Sequence, residues 1–204
     1  MDQLDIAVIH DAKNRLGELV FRLESRGDCA IEIESLIHTS NRLTNLLIWH
    51  TRQDGEMRLN VDSASPGDLL QEMQAEFRQF FPKLDIALEI EQAPVFWFYD
   101  ESYIRLALEN ALHNACHFAV KQVVLSVREE QDYLIFSVQD DGAGFPADVM
   151  ANHANNAFSE ISRRGTGLGL LLSSHIAKLH KAKGIEGKSV IRNNTGALFE
   201  LYLP

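Results

Sequence analysis

The 204-residue sequence predicts an α+β chain of two domains. A helical hairpin over 1–56 pairs with a second copy into a four-helix bundle. An α/β sandwich follows over 57–204, with a mixed sheet and helices on one face. Three observations predict this. Apolar residues keep a three-and-four rhythm to about residue 53, then alternate in twos over several shorter stretches. The later strands and helices do not strictly alternate, which suits a mixed sheet better than a parallel one. Hydrophobic residues make up 46% of the chain and charged residues 24%, enough apolar material for a full core.

Each element has its own signals. Ile6, Ile9, Leu16, Val20 and Leu23 make a seam along a helix at 2–25, with Lys13 in one slot, and "SRGD" at 25–28 breaks it. Ile33, Leu36, Leu43 and Leu47 continue the rhythm over 30–53, with Ser40 filling the gap. Two helices joined by so short a turn form an antiparallel hairpin. Each has one apolar stripe, and pairing two hairpins buries both, so a homodimer is expected. Met57, Leu59 and Val61 then alternate like a half-buried strand. Ser65 caps the next helix, with Pro66 in its first turn and Asp68 completing the capping pattern. Leu69, Met73, Phe77 and Phe81 form its inner face. Strands are expected at 85–90 and 94–99, and a helix at 101–118 whose core face is Ile104, Leu108, Ala111, Ala115 and Phe118. Strands at 121–129 and 132–140, a loop, and a helix at 168–182 follow. In the terminal hairpin, "NNTG" at 193–196 separates Val190 and Ile191 from Phe199, Leu201 and Leu203.

Composition excludes several classes of partner. A net charge of −10 repels phosphate backbones, so no nucleic acid is expected. No apolar run approaches the roughly 18 residues of a membrane span, and the N-terminus lacks a basic-then-apolar leader. Direct membrane insertion is not expected. Cys29 and Cys116 are far apart and read as reduced thiols, which points to a cytoplasmic location. His113 and His117, with Cys116 between them, have no convincing third ligand for zinc.

Three motifs carry chemistry. In "ENALHNACHF", 109–118, Asn110, Asn114 and His117 form a polar stripe beside the apolar face of a helix. Asparagine carbonyls are hard neutral oxygen ligands that suit Mg²⁺. In "VQDDGAGFP", 138–146, Asp140 closes a strand, where it can accept a hydrogen bond from an exocyclic amine. Gly142 and Gly144 there allow a tight turn close to a ligand. In "RRGTGLGL", 163–170, Gly165, Gly167 and Gly169 stand at the start of an apolar helix, whose N-terminus favours phosphate. Neither GxGxxG nor GxxxxGK[ST] occurs, so Rossmann and P-loop readings fail.

In this order the motifs resemble the nucleotide-binding domain of the GHKL superfamily, the Bergerat ATPase fold, over about residues 60–204. The resemblance implies ATP and Mg²⁺ as cofactors. Asn114 and Asn110 would contact the metal, Asp140, Gly142 and Gly144 the adenine, and Gly165, Thr166, Gly167, Leu168 and Gly169 the phosphates. Residues 145–164 would form the lid, from which Arg163 or Arg164 reaches a phosphate. His117 stands where the family commonly has lysine, which shifts that phosphate contact toward the lid arginines. "HKAKG" at 180–184 replaces a more usual glycine pair. ATP-hydrolysing relatives carry a glutamate four residues before the metal asparagine. Here that place holds Asn110, which favours phosphotransfer over hydrolysis.

With that domain downstream, "HDAKN" at 10–14 resembles the phosphoacceptor box of two-component sensor histidine kinases, except that Arg15 replaces a common proline. The resemblance implies that His10 takes the γ-phosphoryl group of ATP and passes it to an aspartate on a response-regulator receiver domain. Neutral imidazole is a nucleophile near its ordinary pKa of about 6.5. Asp11 would orient it and take its proton, and Asn14, one turn on, would position a water for dephosphorylating the regulator. Only nine residues precede His10, so either input from a separate sensor protein or an excised core is expected. The alternative is a histidine phosphotransfer protein whose ATP-domain remnant binds no nucleotide.

Overall fold

The structure, a computed structural model, describes residues 59–154 and 168–204 and isolated positions between 12 and 43. The chain divides into two compact units, Met1–Arg58 and Leu59–Pro204. In the first, the backbone is helical at Ala12, Arg15, Leu16, Leu19 and Leu23, and again at Glu32, Ser35, Leu36, Thr39 and Leu43. Residues at these spacings share a helix face. The remaining positions of the expected hairpin lie outside the described residues.

The second unit is a helix-covered mixed sheet. Strand β1 (Asp62–Ala64) pairs antiparallel with β3 (Trp97–Tyr99) as a separate ribbon. Of the strand expected over Met57, Leu59 and Val61, Met57 lies outside the described residues, and the strand begins only at Asp62; the Asn60 N–H donates to Asp100 Oδ2 at 2.7 Å and is taken out of any ladder. Helix α1 (Pro66–Phe80) begins as expected: Ser65 is the N-cap and its side chain accepts from the Asp68 N–H at 3.3 Å. Leu69, Met73 and Phe77 are buried, and so is Leu70.

The main sheet has the order β2 (Asp85–Glu89), β4 (Gln122–Glu130), β5 (Tyr133–Asp140), β9 (Ala197–Leu203) and β8 (Lys188–Asn193). Only β2 and β4 run parallel. Register lines up Leu125 with Val138 and Phe199, and Val127 with Phe136 and Leu201. All six are buried. Helix α1 packs on β2 and β4, α2 (Glu101–Phe118) on β5, and α4 (Leu168–Leu179) on β8 and β9. Alternation sends the intervening residues to the opposite face. There Glu200 is held by Arg128 at 3.0 Å, Arg192 at 3.4 Å and the Tyr202 hydroxyl at 3.0 Å.

Two expectations fail at element ends. A helix, α3 (Ala147–Ala154), occupies part of the expected 145–164 loop. Helix α4 stops at Leu179 rather than at 182, and Lys181–Ala182 (β6) folds back on Ile185–Glu186 (β7). Lys183 and Gly184 have φ of 50° and 80°, so "HKAKG" is a two-residue hairpin turn, the left-handed kind such ribbons favour. His180, at this junction, is only 4% exposed. Its Nε2 accepts from the Asp100 N–H at 3.1 Å, so Nδ1 carries the proton it shares with the Ile176 carbonyl at 2.8 Å. Burial pushes its pKa below the ordinary histidine value. Among the described residues, no helix is long and apolar enough to cross a membrane.

Candidate functional site

Helix α2 organises the site. Asp100 caps it, accepting from the Tyr103 N–H at 3.1 Å, and Ile104, Leu108, Ala111 and Ala115 bury one side against the sheet. This leaves Asn114 and His117 exposed and Asn110 half-buried on the neighbouring stripe. Asn110 Nδ2 donates to the Leu106 carbonyl at 2.9 Å, which fixes the amide. A Cβ on Gly169 would lie 3.4 Å from Asn110 Oδ1, so the N-terminal turn of α4 passes close beside this asparagine. His117 meets the Phe81 ring edge-on at 5.7 Å. Phe118 departs from expectation. The turn ends there, and its ring is 70% exposed rather than in the core.

The loop after β5 abuts the end of the same helix. Asp140 is 6% exposed, and its Oδ1 accepts from the Gly142 N–H at 2.8 Å and the Ala197 N–H at 3.1 Å. Both bonds fall on Oδ1. A Cβ at Gly142 would overlap the Phe118 carbonyl oxygen, so no larger residue fits while the loop stays against α2. Gly144 has φ +82°, a conformation other residues rarely adopt. Asp141 ties the loop to the α2–β4 connection: its Oδ1 accepts from the Val120 and Lys121 N–H groups at 2.7 and 3.0 Å. The Lys121 N–H above all, with its neighbours, holds the Asp141 carboxyl below the usual range.

Helix α2 therefore touches both glycine motifs, Gly142 at its C-terminal end and Gly169 at its middle. Gly169 lies beside Asn110, Gly142 against Phe118 and Asp140, and Asn114 stands one helical turn from Asn110. Leu168 opens α4. Arg163, Arg164, Gly165, Thr166 and Gly167 lie outside the described residues, as do His10, Asp11 and Asn14. An apolar groove of about 460 Å³, lined by Val61, Phe96, Phe98, His180 and Pro204 among others, contains none of these residues. Sequence reasoning missed three participants. No sequence signal singles out Asp141, the apolar spacing places Phe118 in the core, and Asn193 reads only as part of a turn.

An amino group on a planar base would suit the Asp140 carboxylate, and the helix dipole favours negative charge at the α4 N-terminus. Two neutral amide oxygens one helical turn apart suit a hard divalent cation between them.

Comparison with known proteins agrees with the fold. The chain is 27% identical over 169 residues to the sensor protein KdpD of Clostridium acetobutylicum, covering 79% of this chain but only 18% of that protein. The catalytic domain of histidine kinase ThkA superposes with a TM-score of 0.61 at 18% identity, covering 72% of this chain and 96% of that one. Full-length ShkA in complex with AMPPNP superposes with a TM-score of 0.62 at 20% identity, covering 94% of this chain and 46% of that one. A family model described as histidine kinase-, DNA gyrase B-, and HSP90-like ATPase matches residues 99–204. More than half of its length matches that model, and the chain belongs to this family, with sensor histidine kinases among its relatives.

Proposed function

We propose that the chain is the catalytic core of a two-component histidine kinase: it binds Mg·ATP, phosphorylates His10, and hands the phosphoryl group to an aspartate of a response-regulator receiver domain. The observation that carries this is the contact of one asparagine-bearing helix with both glycine motifs. It supports a single site for base, metal and phosphates. The kinship with sensor proteins, and the nucleotide analogue held by ShkA, point the same way.

Each residue has a share of the work. Asp140 Oδ2 accepts from the adenine amino group, and Phe118 offers its exposed ring to the base. Asn114 and Asn110 would hold Mg²⁺, which when bound offsets charge on the phosphates. The N–H groups around Gly165, Gly167 and Gly169 hold the phosphates, and Arg163 or Arg164 pairs with them from the lid. His10 attacks the γ-phosphorus through a neutral ring nitrogen. The N–P bond forms as the bond to the β–γ bridging oxygen breaks and ADP leaves. Asp11 takes the proton from the other ring nitrogen, and Asn14 orients water during dephosphorylation of the regulator. Asn110 occupies the place of a hydrolase's glutamate, which favours transfer to His10 over transfer to water. The hairpin carrying His10 acts as a homodimer.

Incubation with Mg²⁺ and γ-labelled ATP tests this reading. Acid-labile, alkali-stable label on the wild type and none on His10→Gln is expected. Nucleotide binding without label defeats the kinase assignment. No nucleotide binding at all favours the phosphotransfer protein.

A further inference from the structure

We propose that Asn193, the last residue of β8 before the turn to β9, is the positioning residue that holds Asp140 in register for the base. The inference rests on Asp140 being the base-reading group. The Asn193 amide makes two bonds to the backbone of one residue of the neighbouring loop: Oδ1 accepts from the Phe145 N–H at 2.7 Å, and Nδ2 donates to the Phe145 carbonyl at 3.0 Å. That is the pattern of a strand pair made by a side chain. It requires Gly144 beside it, where a Cβ would come within 2.8 Å of the amide.

The same turn grips the other end of the loop. A Cβ on Gly196 would lie 2.7 Å from Asp140 Oδ1, and the Ala197 N–H bonds that oxygen at 3.1 Å. Gln139 Nε2 donates to Thr195 Oγ1 at 3.0 Å. The turn thus holds residues 139–145 at both ends, by backbone at Asp140 and by the Asn193 side chain at Phe145. Nothing else in the turn reaches Phe145 by hydrogen bond among the described residues. Without Asn193 the Ala143–Phe145 arm loses its far anchor, and the Gly142 N–H, one of the two that fix the plane of the Asp140 carboxylate, is held only from the Asp141 side. An adenine contact depends on that plane. A guanine, with no 6-amino group to offer, does not use it.

ATP and GTP titrations on the 1–204 chain test the clamp, using wild type, Asn193→Ala, Asn193→Leu and Asn194→Ala. Asn193 is exposed, so both replacements should melt like wild type. The expected result is about a tenfold loss of ATP affinity in both Asn193 variants, with GTP affinity within about twofold of wild type. Asn194→Ala, one residue along the same turn, should match wild type for both nucleotides. Asn193 variants that keep the wild-type ratio of ATP to GTP affinity overturn the proposal. Wild type that binds neither nucleotide overturns the reading of the site itself.

Discussion

Asp140 and Phe118 make contrasting predictions. Asp140→Asn can keep both backbone bonds through its remaining oxygen but presents an amide to the adenine amine. ATP affinity should fall between about tenfold and a hundredfold, the range for a bond to a charged acceptor, with melting little changed; isothermal titration checks it. Phe118→Ala should weaken ATP roughly tenfold by removing a stacking face, and should not destabilise the fold, because the ring is exposed. A large drop in melting temperature would mean that the ring packs as core. These two residues also mark the limit of legibility at this scale. Asp140 was readable because strand end, aspartate and glycine come together in a short string. Phe118 continues the apolar spacing of α2, and spacing cannot reveal that the helix ends under it. Asn193 was hidden because its partner lies 48 positions away.

Secondary-structure elements were legible where local chemistry decides them. Helix α1 was readable from Ser65, Pro66 and Asp68, and Ser65→Ala should cost about 1 kcal/mol, or roughly 3 °C in melting temperature. Helix α2 runs over the expected 101–118 because Asp100 caps it and its apolar face is unbroken. The ends of β1 and α4 were not legible, since long-range partners set them: Asp100 takes the Asn60 N–H, and Asp100 in turn donates to His180. His180 brings a pH dependence to that junction. Its folded pKa lies below the unfolded value of about 6.5. The unfolded chain therefore binds more protons in between, and stability rises with pH there. The contribution is complete above about pH 6.5 and is lost as pH falls through the folded value. Asp100 opposes the shift, and the half-buried His153 is lowered too, mainly by burial and further by Lys178, and adds the same sign. Thermal melts at neutral and mildly acidic pH should show a shallower acid loss in His180→Gln. An unchanged slope would place the effect elsewhere.

At the scale of the molecule, the chain separates into units at Arg58 and Leu59. An excised 59–204 fragment should fold alone and bind ATP without forming phosphohistidine. Saturation at about a hundred times Kd should stabilise it by roughly 2.7 kcal/mol, and a ligand-induced shift in its melt is the measurement. The mixed sheet was legible from the irregular sequence of strands and helices. The strand order was not, because pairing β5 with β9 is a tertiary choice. That pairing has a consequence for biosynthesis. Asp140 is translated well before Ala197 and the turn that steadies it. A nascent chain thus carries a finished helix α2 and an unfinished pocket until β9 clears the ribosome. A ribosome stalled before that strand therefore exposes a domain whose Asp140 still lacks the Ala197 N–H.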